Sequence, residues 1–164
     1  MALEPVTDTR MLRQALGRFA TGVTIITTID AGGQCVGLTA NSFNSLSLDP
    51  PLVLWSLRAA SPSVAAFSQG SHFAVNVLSE AQLDLSRRFA SPVDDKFAEG
   101  LWAPGAGGVP LLAGCTAVFE CERVSQQAAG DHVLFIGRVL ALQESALPPL
   151  LFQAGHYRML GEIL

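Results

Sequence analysis

Residues 37 to 53 carry the densest set of groups able to do chemistry. They read Gly-Leu-Thr-Ala-Asn-Ser-Phe-Asn-Ser-Leu-Ser-Leu-Asp-Pro-Pro-Leu-Val. Thr39, Asn41, Ser42, Asn44, Ser45 and Ser47 set short polar side chains between apolar anchors. Hydroxyls and amides are neutral donors and acceptors, and short side chains let a ligand lie close to the backbone. That combination suits the edge of a flat heterocycle or a polyol chain. A polar edge strand or bulge has the same composition, and composition alone leaves the two readings level. Further along, Ser61-Pro62-Ser63 opens a helix, with Ser61 as N-cap and Pro62 at the first helical position. The free amides of such a helix start suit a phosphate, and Arg88 is a candidate for a charge-assisted bond to it. A plain cap and a solvated helix end are the competing readings. Gly130-Asp131-His132 forms a turn between strands, where Asp131 has the alternative of a local turn hydrogen bond.

Common catalytic signatures are absent. The sequence has no Gly-rich dinucleotide fingerprint between strand and helix, no phosphate loop ending in Gly-Lys-Ser/Thr, no Gly-x-Ser-x-Gly elbow and no paired His or Cys at zinc spacing. An enzyme built from this chain therefore takes its reactivity from a bound cofactor and needs no metal.

The elements that must hold these residues read as mostly strands. Met11, Leu12, Ala15, Leu16 and Phe19 recur at helical spacing, which predicts a helix over 9–17 with Met11 and Phe19 in its core. Residues 1–8 read as a loose end. Strands are expected over 23–29, 35–43, 52–57, 72–78, 116–124 and 133–142, with a closing strand over 152–160. Residues 39–47 are read as a hairpin. Ser79 and Gln82 predict a capping box ahead of a helix ending near Arg88. Residues 100–114 read as a loop holding Trp102. Hairpin spacing dominates over strand–helix alternation, so the expected fold is mainly β with short helices, an antiparallel barrel in a single domain over 1–164.

Composition narrows the partners. The chain has 164 residues, a net charge of -4, 49% apolar residues and only 15% charged ones. Such low charge density implies apolar surface covered by a partner or a large ligand, and a homodimer is the simplest explanation. The strand over 133–142 is apolar on both sides and is the expected contact. No basic patch favours nucleic acid or an anionic membrane, and no apolar run is long enough to span a bilayer. Cys35, Cys115 and Cys121 are odd in number and irregular in spacing. They read as buried reduced thiols, which suits the cytoplasm.

The chain resembles the flavin reductase family, whose fold is the FMN-binding split barrel. The resemblance runs through Leu16-Gly17-Arg18-Phe19-Ala20-Thr21-Gly22-Val23-Thr24, Gly37-Leu38-Thr39-Ala40-Asn41-Ser42-Phe43 and Ser47-Leu48-Asp49-Pro50-Pro51. It continues through Phe73-Ala74-Val75-Asn76-Val77-Leu78, Leu85-Ser86-Arg87-Arg88-Phe89-Ala90, Gly130-Asp131-His132 and Gly155-His156-Tyr157-Arg158. It implies a homodimeric NAD(P)H:flavin oxidoreductase that passes a hydride from NADH or NADPH to FMN or FAD and supplies a separate monooxygenase. Alternatives are a flavoenzyme of the same fold reducing a cobalt corrinoid or ferric complex, and a flavin carrier without pyridine-nucleotide activity. By resemblance, Thr39, Ala40, Asn41, Ser42, Ser45 and Leu46 line the flavin. Ser56, Leu57, Arg58 and Ala59 border its phosphate or ribityl chain, with Ser61, Ser63 and Arg88 as further anion ligands. His132 positions the nicotinamide. Tyr157 is a candidate to approach the ligand from the C-terminal strand, with terminal packing as the level alternative. On this reading Ser42→Phe abolishes flavin binding and leaves the fold intact.

Overall fold

The computed structural model describes residues 3–163. Helix α1 spans Thr9–Leu16, capped by Asp8, whose side chain accepts from the Arg10 amide at 2.8 Å. No residue of α1 is buried, and Phe19 beyond it is 74% exposed. The apolar stripe therefore faces outward, and the expectation that Phe19 belongs to a helix core is corrected. The first turn of chain that enters the core is β1 with β2, Thr21–Gly22 and Thr24–Ile29.

Ten further strands follow: β3 Cys35–Ala40, β4 Asn44–Leu48, β5 Pro51–Arg58, β6 His72–Val77, β7 Trp102–Pro104, β8 Pro110–Leu112, β9 Ala117–Ala129, β10 His132–Glu144, β11 Leu151–Gln153 and β12 His156–Arg158. Two short helices, α2 Val64–Gln69 and α3 Leu83–Phe89, lie between them. Seven strands make one antiparallel sheet in the order β3-β2-β6-β9-β10-β5-β4. The two edge strands, β3 and β4, are consecutive in the chain and separated only by residues 41–43. Those residues can span about 14 Å, whereas the edges of a flat seven-stranded sheet lie roughly 29 Å apart. The sheet must therefore curl until its edges meet. No strand pairing joins β3 to β4 among the described residues, so the curl leaves a seam.

Alternation along the strands fills the interior. Val53, Trp55 and Leu57 of β5 point inward, as do Phe73 and Val75 of β6, Cys121 of β9 and Phe135 of β10. Trp55 stacks on Phe135 with centroids 4.8 Å apart and meets Phe67 edge-on at 4.8 Å. Gly137 of β10 sits against the Phe73 ring, where a Cβ would collide. A second cluster lies outside the barrel under α3, with Val23, Ile25, Leu78, Phe89, Leu112, Cys115 and Leu150. The residues expected to form a plain loop over 100–114 instead carry the β7–β8 hairpin, which closes this second core through Leu112 and Trp102.

Two further expectations change. Residues 39–47 are not a hairpin: β4 pairs with β5, and the tight turn is Asp49-Pro50. Cys35 is exposed, unlike Cys115 and Cys121. The expected capping box is present, Ser79 with Gln82, at the 3₁₀ turn Glu80–Gln82 that leads into α3.

Candidate functional site

One side chain ties the β3–β4 crossover to β5. Ser42 Oγ donates to the Ser56 carbonyl at 2.8 Å and accepts from the Ser56 amide at 3.0 Å. Asn44 faces Leu54 in the β4–β5 register, so two residues back from one and two on from the other brings Ser42 opposite Ser56. The Ser42 hydroxyl thus continues the ladder where the backbone leaves it. Ser42→Phe would remove both bonds and leave a half-buried backbone pair open, so this change carries a stability cost beside any loss of binding.

The same end of the barrel collects several predicted residues. His132 of β10 pairs with Arg58 of β5, and the Ala59 amide donates to the Asp131 carbonyl at 2.9 Å. His132 Nδ1 lies 2.7 Å from Asp131 Oδ1. The His132 hydrogen bond and then its charge hold the exposed Asp131 carboxyl below its usual range, with a smaller contribution from Arg58. With Nδ1–H donated to that carboxylate, a neutral imidazole has Nε2 free to accept. Asn41, Arg58 and Ala59 are exposed, and His132 is half-buried. Leu57, by contrast, turns its side chain into the barrel core, and Ala40 packs against that core, which leaves only their backbones to face a ligand.

A second group gathers on α3. Thr39 Oγ1 donates to the Ser86 carbonyl at 2.7 Å, and Ser86 Oγ lies 2.9 Å from the Tyr157 hydroxyl. Buried Ser86 thus couples Thr39 of β3 to the C-terminal β11–β12 hairpin. Ser45 and Leu46 sit exposed on the edge strand β4. Ser61 does not cap α2 directly: the N-cap is Ser63, and Ser61 Oγ accepts from the Ser63 amide at 3.3 Å in the turn before it. Ser63 lines a cleft of about 450 Å³ together with Gly33–Gly37 and residues 93–97. That second wall, with Lys96 and Phe97, was missed in the sequence, although the single lysine of the chain was a signal.

The donor set fits a flavin. Exposed Asn41, Ser45 and Arg58 offer amide, hydroxyl and cation, and Leu46, 46% exposed, offers apolar surface for a ring face. Among the described residues no group of three or more His, Cys, Asp or Glu could hold a metal ion.

Curled antiparallel sheet and open seam together define a split-barrel fold. The chain belongs to the flavin reductase like domain family, whose model matches residues 16–161. It is 42% identical over 155 residues to the reductase component of the flavin-dependent trigonelline monooxygenase of Acinetobacter baylyi, covering 94% of this chain and 50% of that protein. It is 43% identical over 150 residues to the FMN reductase (NADH) SmoA of Agrobacterium fabrum, covering 92% of this chain and 85% of that enzyme. The chain thus spans about half the length of some curated relatives it matches. The structure of the Streptomyces globisporus C-1027 NADH:FAD oxidoreductase SgcE6 with NAD and FAD fragments superposes with a TM-score of 0.91 at 35% identity, covering 98% of each chain. Mainly β architecture with short helices, expected from the sequence, is what the fold has.

Proposed function

We propose that the protein is an NAD(P)H:flavin oxidoreductase that delivers reduced FMN or FAD to a separate monooxygenase. The observation that carries this reading is the convergence of Asn41, Ser42, Ser56, Arg58, Asp131 and His132 at one end of the barrel, in a chain of the flavin reductase family. Relatives whose names describe reductase components of monooxygenases support the partner. Bound flavin supplies N5 as the acceptor of the hydride from nicotinamide C4. The chain contributes alignment and exclusion of water, and no protein acid or base is needed for that step. Asn41 and Ser45 hold the polar edge or ribityl chain, and Arg58 with Ser61 and Ser63 faces the phosphate. His132, oriented by Asp131, offers Nε2 to a nicotinamide carboxamide N–H.

The working unit in this proposal is a cytoplasmic homodimer. Leu134 and Ile136 of β10 lie half-exposed opposite Ser56 and Leu54 of β5, an apolar outer face suited to a second copy. Among the described residues no helix is long and apolar enough to cross a membrane.

An anaerobic titration tests the reading. Flavin is added to the purified protein, then NADH or NADPH, and absorbance is followed. Rapid bleaching of the oxidised flavin band is expected. Flavin that binds and stays oxidised with either nucleotide would leave only the carrier alternative. His132→Ala should raise the KM for the nucleotide far more than the flavin Kd, on the order of 1–3 kcal/mol for one lost bond. Unchanged nucleotide kinetics would remove His132 from the site.

A further inference from the structure

The chain beyond α3 is tied down by two cations that reach in opposite directions. Arg88, in the last turn of α3, donates from Nε to the Lys96 carbonyl at 3.0 Å and from a terminal nitrogen to the Asp95 carbonyl. Lys96 answers from the other side, donating from Nζ to the Phe89 carbonyl at 3.0 Å. That carbonyl lies at the C-terminal end of α3, where a cation is favoured. Partial burial lowers the Lys96 pKa, consistent with an ammonium held against protein. Residues 91–98 are thereby strapped across the end of the helix.

The strap is also anchored from below. Phe97 meets Phe89 edge-on at 5.0 Å and Trp102 at 4.8 Å. Beneath them Gly37 leaves room on β3: a Cβ there would come within 2.7 Å of Phe89 and 3.0 Å of Phe97. So fixed, Val93, Asp94, Asp95 and Lys96 form one wall of the cleft whose other walls are Gly33–Gly37 and Ser63. The same helix holds Thr39 through the Ser86 carbonyl, so strap and flavin segment share one support.

The surroundings of Arg88 do not suit a phosphate. On one side the wall it holds carries Asp94 and Asp95, and on the other it lines a recess with Asp84 and Glu99. Asp84 and Glu99 flank its free edge, and two edges of the guanidinium are already committed to carbonyls. A planar fork can hold two carbonyls in fixed geometry, which a lysine ammonium in its place cannot reproduce.

We propose that Arg88 is a positioning residue: it latches the 91–98 strap so that residues 93–97 form a wall of the flavin site, and it does not contact the flavin phosphate. This rests on the flavin reading given above. The test compares FMN with riboflavin, which lacks the phosphate, by quenching of flavin fluorescence on Arg88→Met, Arg88→Lys and Lys96→Met proteins. Arg88→Met is expected to raise both Kd values by the same factor, about tenfold, as for one charge-assisted bond. Arg88→Lys should not restore either. Lys96→Met, which cuts the latch from the strap side and leaves α3 unaltered, should weaken both ligands in parallel and stands in if Arg88→Met fails to fold. Trypsin supplies a readout without flavin: cleavage after Lys96 should quicken in folded Arg88→Met. A loss confined to FMN would make Arg88 a phosphate ligand and overturn the proposal. So would parental Kd values in a variant that merely melts at lower temperature. Failure of the parent protein to bind either flavin would sink the flavin reading itself, before any variant is made.

Discussion

The molecule has two apolar cores, and they are built on different rules. The barrel interior draws on residues two apart along its strands, such as Val53, Trp55 and Leu57, or Phe73 and Val75. The core under α3 takes one or two residues from each of several segments: Val23 and Ile25, Leu78, Phe89, Leu112, Cys115 and Leu150. Strand β2 serves both, since neighbouring Ile25 and Ile26 point to opposite faces and are each fully buried. The barrel is thus fixed by local alternation, whereas the outer core exists only once distant segments have docked. One part of the candidate site, Thr39 and Tyr157, leans on the outer core through Ser86. Ser86, Tyr157, Phe97 and the strap all attach to α3, and α3 attaches through Phe89.

The strongest way to break this contrast is to empty each core in turn. Trp55→Ala and Phe89→Ala should each cost roughly 3–5 kcal/mol of unfolding free energy, read by urea or thermal melts. Their effects on ligand should part. Phe89→Ala removes the support of the strap and of Ser86, so flavin affinity should fall even where the protein remains folded. Trp55→Ala should retain near-parental affinity at temperatures below its own transition. Equal losses of affinity in the two folded variants would show that the cores do not divide these tasks.

A smaller perturbation probes the end of the β4–β5 ladder. Ser42→Ala removes a hydroxyl that makes two hydrogen bonds and leaves the Ser56 amide and carbonyl short of partners. The expected destabilisation is about 1–3 kcal/mol. Asn41, exposed beside it, should behave differently. Asn41→Ala should leave stability within about 0.5 kcal/mol and weaken flavin binding by about 1–2 kcal/mol. Ser42→Ala melting with the parent would mean that this end of the ladder is held elsewhere.

The same contrast governs what could be read from the sequence. Period-two alternation revealed strands such as those over 72–78 and 116–124, because a strand that faces the interior writes its burial locally. Ser79 and Gln82 declared a helix start through side chains three residues apart. The β3–β4 crossover was misread as a hairpin, since adjacent strands usually pair and nothing local says that these two lie at opposite edges of one sheet. The strap left almost no trace, because its bonds run from side chains to the carbonyls of Asp95, Lys96 and Phe89, and carbonyls are the same in every residue. Phe19 and Cys35 failed for a related reason: an apolar residue implies burial only when some other element arrives to cover it.

The cysteines give the finest measure of the two cores, because each region holds one. Cys121 lies in the barrel interior, Cys115 in the core under α3, and Cys35 on the exposed start of β3. Burial pushes the thiols of Cys115 and Cys121 up to about 12, so the reactive thiolate is almost absent from both in the folded protein at neutral pH. Alkylation of either must then wait for an opening, and the rate of each reports the opening of its own core. Native protein treated with iodoacetamide should take one label quickly, at Cys35. Under mild urea, Cys115 should follow before Cys121, because a core assembled from docked segments can open without unpairing the sheet. Peptide mapping by mass spectrometry would give the order. Simultaneous labelling of Cys115 and Cys121, at the rate of global unfolding, would mean that the two cores open as one cooperative unit and that the site rests on the barrel as much as on α3.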